Sequence, residues 1–273
     1  MQRAVRAIIA TFASALPGIA LGAEATRLEL SFHIFTGGYH AVTMAANLDL
    51  GPERYRLETR TSTNGIADVI FRFTQTARVE GALTASGPRP LRFESASDGR
   101  WNFRLIEMAY GAEGPELRKL EPPVEADERD EVPLHLRQAT LDPLTAAISA
   151  ILREPDRPCT GSAPVFDGRR RYDLHFEAVG YDSLKADQPD GFGGEALRCR
   201  IVFEPIAGFM KQYEDRTREA RPPTELWLAR IAGARQWLPV RMVSHSGLGR
   251  ATGHLVSASV DDRPVLLTRA ASR

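Results

Sequence analysis

At 273 residues the chain can form one large domain or two modest ones, and an all-β chain of this length often folds as a single unit. Its 35 lysines and arginines balance 35 aspartates and glutamates, so no global field draws nucleic acid to it, and a nucleic-acid function is excluded on charge. The 22 glycines and 18 prolines are spread along the chain, as many turns between short strands require.

The chain opens MQRAVRAIIATFASALPGIALGAEA, residues 1–25. Arg3 and Arg6 precede an apolar stretch that ends in small residues near Gly22, Ala23 and Ala25, the layout of a secretory signal peptide cleaved near 22–25. A transmembrane anchor fits less well, because the apolar run is shorter than the ~20 residues a bilayer requires and Pro17 and Gly18 interrupt it. The mature chain is therefore expected in the periplasm, not spanning the membrane.

Period-two alternation begins at once. Leu28, Leu30, Phe32 and Ile34 share one face, Gly37-Gly38 supplies a tight turn, and residues 39–48 return as a hairpin. Residues 54–63 alternate again. A second hairpin turns at Asp98-Gly99 and sets Trp101, Phe103 and Leu105 on one face, with Asn102 and Arg104 on the other. Residues 111–133, with many prolines and charges and few apolar side chains, read as a charged surface insertion.

DPLTAAISAILRE (142–154) breaks the β pattern. Leu144, Ala147, Ile148, Ile151 and Leu152 recur at helical spacing, Asp142 suits the N-cap and Pro143 the first helical position, which predicts one amphipathic helix. After it, Tyr172, Leu174, Phe176 and Ala178 leave an Asp167-Gly168 turn on one face, opposite Arg171, Asp173, His175 and Glu177. Arg169 and Arg171 are expected on the wet side; Arg170 has apolar parity but sits at the hairpin end, where its stem can lie on the sheet with its guanidinium in water, the weaker alternative being an anion or lipid head-group contact at a cavity rim. Cys159 and Cys199 form an isolated even pair, expected to be a disulfide in an exported chain. Further strands at 225–229, 238–244 and 253–260 bring the expected count to about ten to fourteen, with a C-terminal tail over 263–273.

No reaction is legible. His33, His40, His135, His175, His245 and His254 show no zinc-ligand spacing, so no metal is expected. Ser244 and Ser246 flank His245, but strand neighbours point apart and no nucleophile elbow is present. The glycines of 247–253 lack the lysine of a phosphate loop and lead into a strand, and no cofactor motif appears.

Several segments together carry a resemblance: DPLTA (142–146), VFDGRRRYDL (165–174), CRIVFEPIAGF (199–209), LWLA (226–229) and LPVRM (238–242). They resemble the domain-of-unknown-function family 3108 of exported bacterial proteins, over most of the mature chain. The resemblance implies a single large, strongly curved antiparallel sheet, an open half-barrel or β-spiral, similar to the Lol-type lipoprotein carriers and the envelope-integrity β-spiral proteins. It supplies no catalytic residues. The expectation is one mainly β domain over 26–262, non-enzymatic, taking a lipid, acyl chain or lipoprotein-like cargo in its concave face. Phe32, Trp101, Phe103, Tyr172 and Phe176 are the expected lining. The alternative is an envelope-integrity factor that fills its own cup and binds a protein partner; a hydrolase is the weakest reading.

Overall fold

A computed structural model of the protein describes residues 25–100, 103–124, 129–152, 156–188, 191–210, 222–231, 234–246 and 249–267. All but Ala25 of the expected leader, and Trp101, lie outside them. The first half carries strands β1 (Thr26–Thr36), β2 (Tyr39–Leu50), β3 (Arg54–Thr63), β4 (Phe73–Thr84), β5 (Gly87–Gly99), β6 (Phe103–Gly111) and β7 (Gly114–Glu121), with helix α1 (Ile66–Phe71) between β3 and β4. Helices α2 (Leu134–Arg137) and α3 (Pro143–Leu152) follow. The second half carries β8 (Thr160–Phe166), β9 (Arg171–Leu184), β10 (Gly194–Ala207), β11 (Thr224–Arg230), β12 (Trp237–Ser246), β13 (Gly249–Val260) and the two-residue β14 (Arg263–Pro264).

These form one 14-stranded antiparallel sheet in the order β7-β6-β5-β4-β3-β2-β1-β13-β12-β11-β10-β9-β8, with β14 on β13. β1 and β13, from the two ends of the chain, meet mid-sheet: Leu28 opposes Leu48 on one side and Val260 on the other, and Leu30 opposes Ala46 and Ala258. Inward residues align across strands, so Leu57, Val79, Phe93 and Met108 form one buried row over β3 to β6. Bulges at Ser31/Phe32, Glu80/Gly81, Glu107/Met108, Arg198/Cys199 and Trp227/Leu228 add bend and twist. The sheet curls until its two edges nearly meet, a barrel with a seam.

Helix α3 lies inside the curl. Ile148, Leu144 and Leu152 join the larger core, which spans β1 to β6 and β11 to β13, and Ala146, Ala150 and Ile151 join a second cluster with Val165, Tyr172, Phe176, Cys199 and Leu228. The helix thus fills the concavity from both sides. Asp142, wholly buried, caps it: one carboxylate oxygen accepts from the Leu144 and Thr145 amides, both at 2.9 Å, and the other from the Thr145 hydroxyl at 2.5 Å. Tyr55 reaches Thr145 Oγ1 at 2.7 Å, which links the cap to β3. Cys159 and Cys199 are bonded, with Cα atoms 5.8 Å apart and neither exposed, so the segment after α3 is fastened to β10.

One expectation fails here. Residues 111–133 are not a surface loop throughout, because 114–121 form the edge strand β7. Glu107 pairs with Lys119 but Met108 with Leu117, so Arg118 is the extra residue of a bulge and Leu117 shares the inner face with Leu120 at a spacing of three. That spacing hides a strand from period-two reading, and Pro115 is tolerated at an edge. The tail from 263 also begins as strand, in β14.

Two outcomes follow from this packing. Replacing both cysteines by serine should lower the unfolding free energy by about 2–4 kcal/mol, read as a lower urea midpoint; an unchanged midpoint would remove the bond from the stability account. Burial raises the Asp142 carboxyl from 3.8 to about 6, against the pull of its hydrogen bonds. A carboxyl whose folded value is raised favours folding while protonated, so its contribution is complete below pH 3.8 and lost as pH rises through about 6. Asp142→Asn keeps an acceptor for the capping amides and removes the titration. The melting temperature of the wild type should therefore fall relative to the variant across that window, and parallel curves would contradict the assignment.

Candidate functional site at the mouth of the cup

Each of four adjacent strands changes character along its inner face. At the row of Leu57, Val79, Phe93 and Met108 all four are apolar. One step towards the end of the sheet that carries α1, the row is Thr59, Ala77, Ser95 and Ile106; the next is Thr61, Gln75, Ser97 and Arg104. Gln75 Nε2 donates to Ser95 Oγ at 3.1 Å. These groups form one wall of a cavity of about 590 Å³. Pro143 and Leu144 at the start of α3 bound it below, and the turn between β8 and β9 closes it opposite.

That turn is the three-arginine stretch. Asp167 Oδ1 accepts from the amides of Arg169 and Arg170 at 3.0 and 2.7 Å, and Oδ2 accepts from Arg170 Nε at 2.7 Å. The turn is pressed against the opposite sheet edge: a Cβ on Gly168 (φ +92°) would sit 2.7 Å from Ile106 Cγ2. Arg169, expected in water, is only 5% exposed and donates to the Pro122 carbonyl. Arg171, also expected in water, donates to the carbonyls of Leu136 and Tyr172 and to Asp173. Both corrections have one cause: described residues on either side of 125–128, Pro122 and the 129–137 segment, lie over the hairpin and accept from these guanidinium groups. Arg137 is buried within that cover, donating to the Val132 carbonyl with its guanidinium 5.2 Å from the Phe166 ring centroid.

Arg104, Arg129, Arg169 and Arg170 all line the cavity, and Asp167 is the one carboxylate among its lining residues. Arg170 lies 5.9 Å from the Tyr172 ring and 6.0 Å from Phe209. Arg129 Nη1 donates to the Gly208 carbonyl at 3.1 Å. The volume suits a small-molecule ligand, and several guanidinium groups beside a row of hydroxyls and an amide suit an anionic, oxygen-rich group. A second cavity, of about 550 Å³ at the other end of the sheet, also holds arginines, among them Arg27, Arg56 and Arg92, which pair with Glu29, Glu80 and Glu94 as Arg170 pairs with Asp167 in the first.

A protein-family model described as a protein of unknown function (DUF3108) matches residues 29–256. The chain belongs to this family. No curated protein matches it in sequence. Among solved structures, a β-barrel-like protein of domain of unknown function DUF1849 from Brucella abortus is similar at 12% identity and a TM-score of 0.49, covering 87% of this chain and 98% of that one.

Trp101 lies outside the described residues, and the other apolar residues expected to line the cup of this DUF3108 chain do not come together. Phe32 is buried in the larger core and Phe176 in the second. Tyr172 is buried in the second core and also borders the cavity. Phe103 sits on the outer face, half exposed, because Arg104, Ile106 and Met108 take the inward parity of β6. Arg170 lines the cavity. Arg104, Arg129 and the hydroxyl rows were missed, although the inward series Thr59-Thr61 and Ser95-Ser97 is visible as polar residues at apolar parity.

Other clusters lie outside the cavity. Strand pairing brings Asp173, His175 and Glu204 together on the outer face of β9 and β10, with ligand atoms within 4.8 Å of one another. His175 already pairs with Glu204 at 2.8 Å, and Asp173 with Arg171 at 2.6 Å. His33 and His40 stack at 4.1 Å, and His254 is held below its ordinary pKa by burial and by Arg241. His245 is exposed. Among the described residues no helix is long and apolar enough to cross a membrane.

Gly208 tests the seam. At φ +78° its added Cβ would meet the Arg169 carbonyl oxygen at 2.1 Å and Val132 at 2.7 Å. Gly38, at φ +84° with nothing within 4 Å, carries the backbone penalty alone. Gly208→Ala should lower the urea midpoint by more than Gly38→Ala, by upwards of about 1 kcal/mol. Equal losses would show that the seam yields.

Proposed function

We propose that this chain is an exported, non-enzymatic protein of the cell envelope that binds the anionic head of a ligand at the mouth of its curved sheet. The four-arginine cavity walled by Thr59, Thr61, Gln75, Ser95 and Ser97 carries the proposal. Export is supported by the leader-like residues 1–25 and by a disulfide, which persists in oxidising compartments.

The lipid or lipoprotein-like cargo expected from the resemblance enters this reading through its head group. An acyl chain deep in the cup would have to displace α3, whose Ile148 and Ile151 occupy the space between the two cores. The same filling favours the second reading, an envelope-integrity factor whose cup is closed by its own side chains and whose partner is a protein.

Titration calorimetry with inorganic phosphate and with lysophosphatidic acid separates the two. Binding of either should weaken by about 10- to 100-fold in Arg104→Ala and in Arg170→Ala, the loss of one charge-assisted contact, with an unchanged circular dichroism spectrum. Absence of binding by the wild type, or binding indifferent to both substitutions, would reject the cavity and leave the protein-partner reading.

A further inference from the structure

The rim around the cavity carries a second feature, built from different residues. Ile66, Val69 and Ile70 of α1 are 64, 73 and 55% exposed, and their i, i+3, i+4 spacing puts them on one face of the helix. Tyr39, at the neighbouring β1–β2 turn, and Phe103, just past the β5–β6 turn, are 70 and 50% exposed. All three connections lie at the same end of the sheet, because each follows an odd-numbered strand of an antiparallel meander.

A segment reading IADVIF would normally bury this face. Here it is fastened facing outward. Ala67, on the opposite side, is buried. Asp68 accepts from the Thr63 hydroxyl at 2.7 Å, and the Asn64 amide donates to the Ala41 carbonyl at 2.8 Å. Arg100 Nη1 donates to the carbonyls of Val69 and Ile70 at 2.8 and 3.1 Å, and the Arg100 amide donates to the Arg72 carbonyl at 2.9 Å. The helix is thus tied to β2, to β3 and to the β5–β6 turn.

We infer that α1 and its two flanking turns dock the protein on an anionic lipid surface, with the mouth of the cup turned towards the head groups. The size of the patch selects this occupant. A six-residue helix is about 9 Å long, and a convex knob of that length with two flanking rings falls short of the roughly 1,200 Å² that a stable protein interface buries. A bilayer interface accepts separate apolar anchors, and cationic residues at their base add attraction to anionic lipid. Arg72 and Arg100 sit at the base of α1, and Arg104 is one step inward. Arg72, Arg100 and Arg104 outnumber Asp68 and Asp98 of the same segments, and Asp68 is bonded to Thr63, so a chain that is balanced overall carries a local cationic excess here. The inference rests on α1 and its turns rather than on the ligand reading.

Co-sedimentation tests it, with vesicles of mixed phosphatidylglycerol and phosphatidylcholine and with vesicles of phosphatidylcholine alone. The wild type should partition onto the mixed vesicles and more weakly onto phosphatidylcholine. The triple substitution Ile66→Ser, Val69→Ser, Ile70→Ser should lower partitioning about tenfold or more with an unchanged melting temperature, and Arg72→Glu should lower it on mixed vesicles only. Failure of the wild type to bind, or equal binding by the triple variant, overturns the inference; equal binding to both vesicle types overturns the anionic assignment. Concentration-dependent self-association abolished by the triple variant, without vesicle binding, would make the patch an interface between copies. Arg104→Ala and Arg170→Ala report on the cavity separately: loss of phosphate binding with vesicle binding intact, or the reverse, tells which of the two proposals has failed.

Discussion

The structure depends on one constraint: a sheet curled with its apolar face inward must fill the space it encloses. A single ten-residue helix does so, with apolar side chains on two sides, one for each of the two core clusters. At about 25 cal/mol per Å² of apolar surface removed from water, an unfilled concavity of this extent would forfeit several kcal/mol. The helix is short for that task, and both its ends are fixed from outside. Asp142 and Tyr55 hold the beginning, and beyond the end Cys159 is bonded to β10 while its amide donates to the Ala150 carbonyl at 2.6 Å. The disulfide and the buried cap are two ends of one device.

The seam follows from the same geometry. A sheet that curls without closing leaves two edges, β7 and β8, whose unpaired groups need cover. The Asp167-Gly168 turn reaches across to Ile106 and Leu117, the 129–137 segment lies over the join, and Leu141 forms a parallel bridge with Val165. Arginine suits this role, because one guanidinium can satisfy several backbone carbonyls while its stem packs on apolar surface. Arg137, Arg169 and Arg171 each donate to carbonyls of this region. A cluster that looks like a basic patch in sequence is, for two of its three members, the fastening of a barrel.

Much of the architecture was legible in the sequence, and the misses have physical causes. Alternation located β1, β2 and β3, helical spacing with Asp142 and Pro143 located α3 to within two residues, and the cysteine pair was bonded as its isolation implied. Strand β7 was lost because a bulge changed its period from two to three. Phe103 was placed inside because strand parity alone cannot say which face of a hairpin turns inward; Arg104, Ile106 and Met108 took the core side. The burial of Arg169 and Arg171 depended on a segment distant in sequence crossing the turn, which no local pattern records. The cavity escaped notice for a related reason: its wall is assembled from one or two residues on each of four strands, and only the register brings Thr61, Gln75, Ser97 and Arg104 into line.

That line is the strongest argument for a function. Inward positions of a curled sheet favour apolar side chains, and the rule holds here along the row through Leu57, Val79, Phe93 and Met108. On these four strands it breaks towards one end, and the arginines of the seam face the same gap. Arg169 fastens the seam, Arg170 pairs with Asp167 and Arg129 donates to the Gly208 carbonyl, so the fold itself holds three of the four guanidinium groups at this gap. A sequence consistent with its fold at nearly every level departs from it at this mouth, and that departure is what supports the ligand proposal. The outward-facing apolar residues of α1 break the complementary rule at the same end of the sheet. Two opposite departures, polar within and apolar without, fit a surface that meets an amphiphilic neighbour.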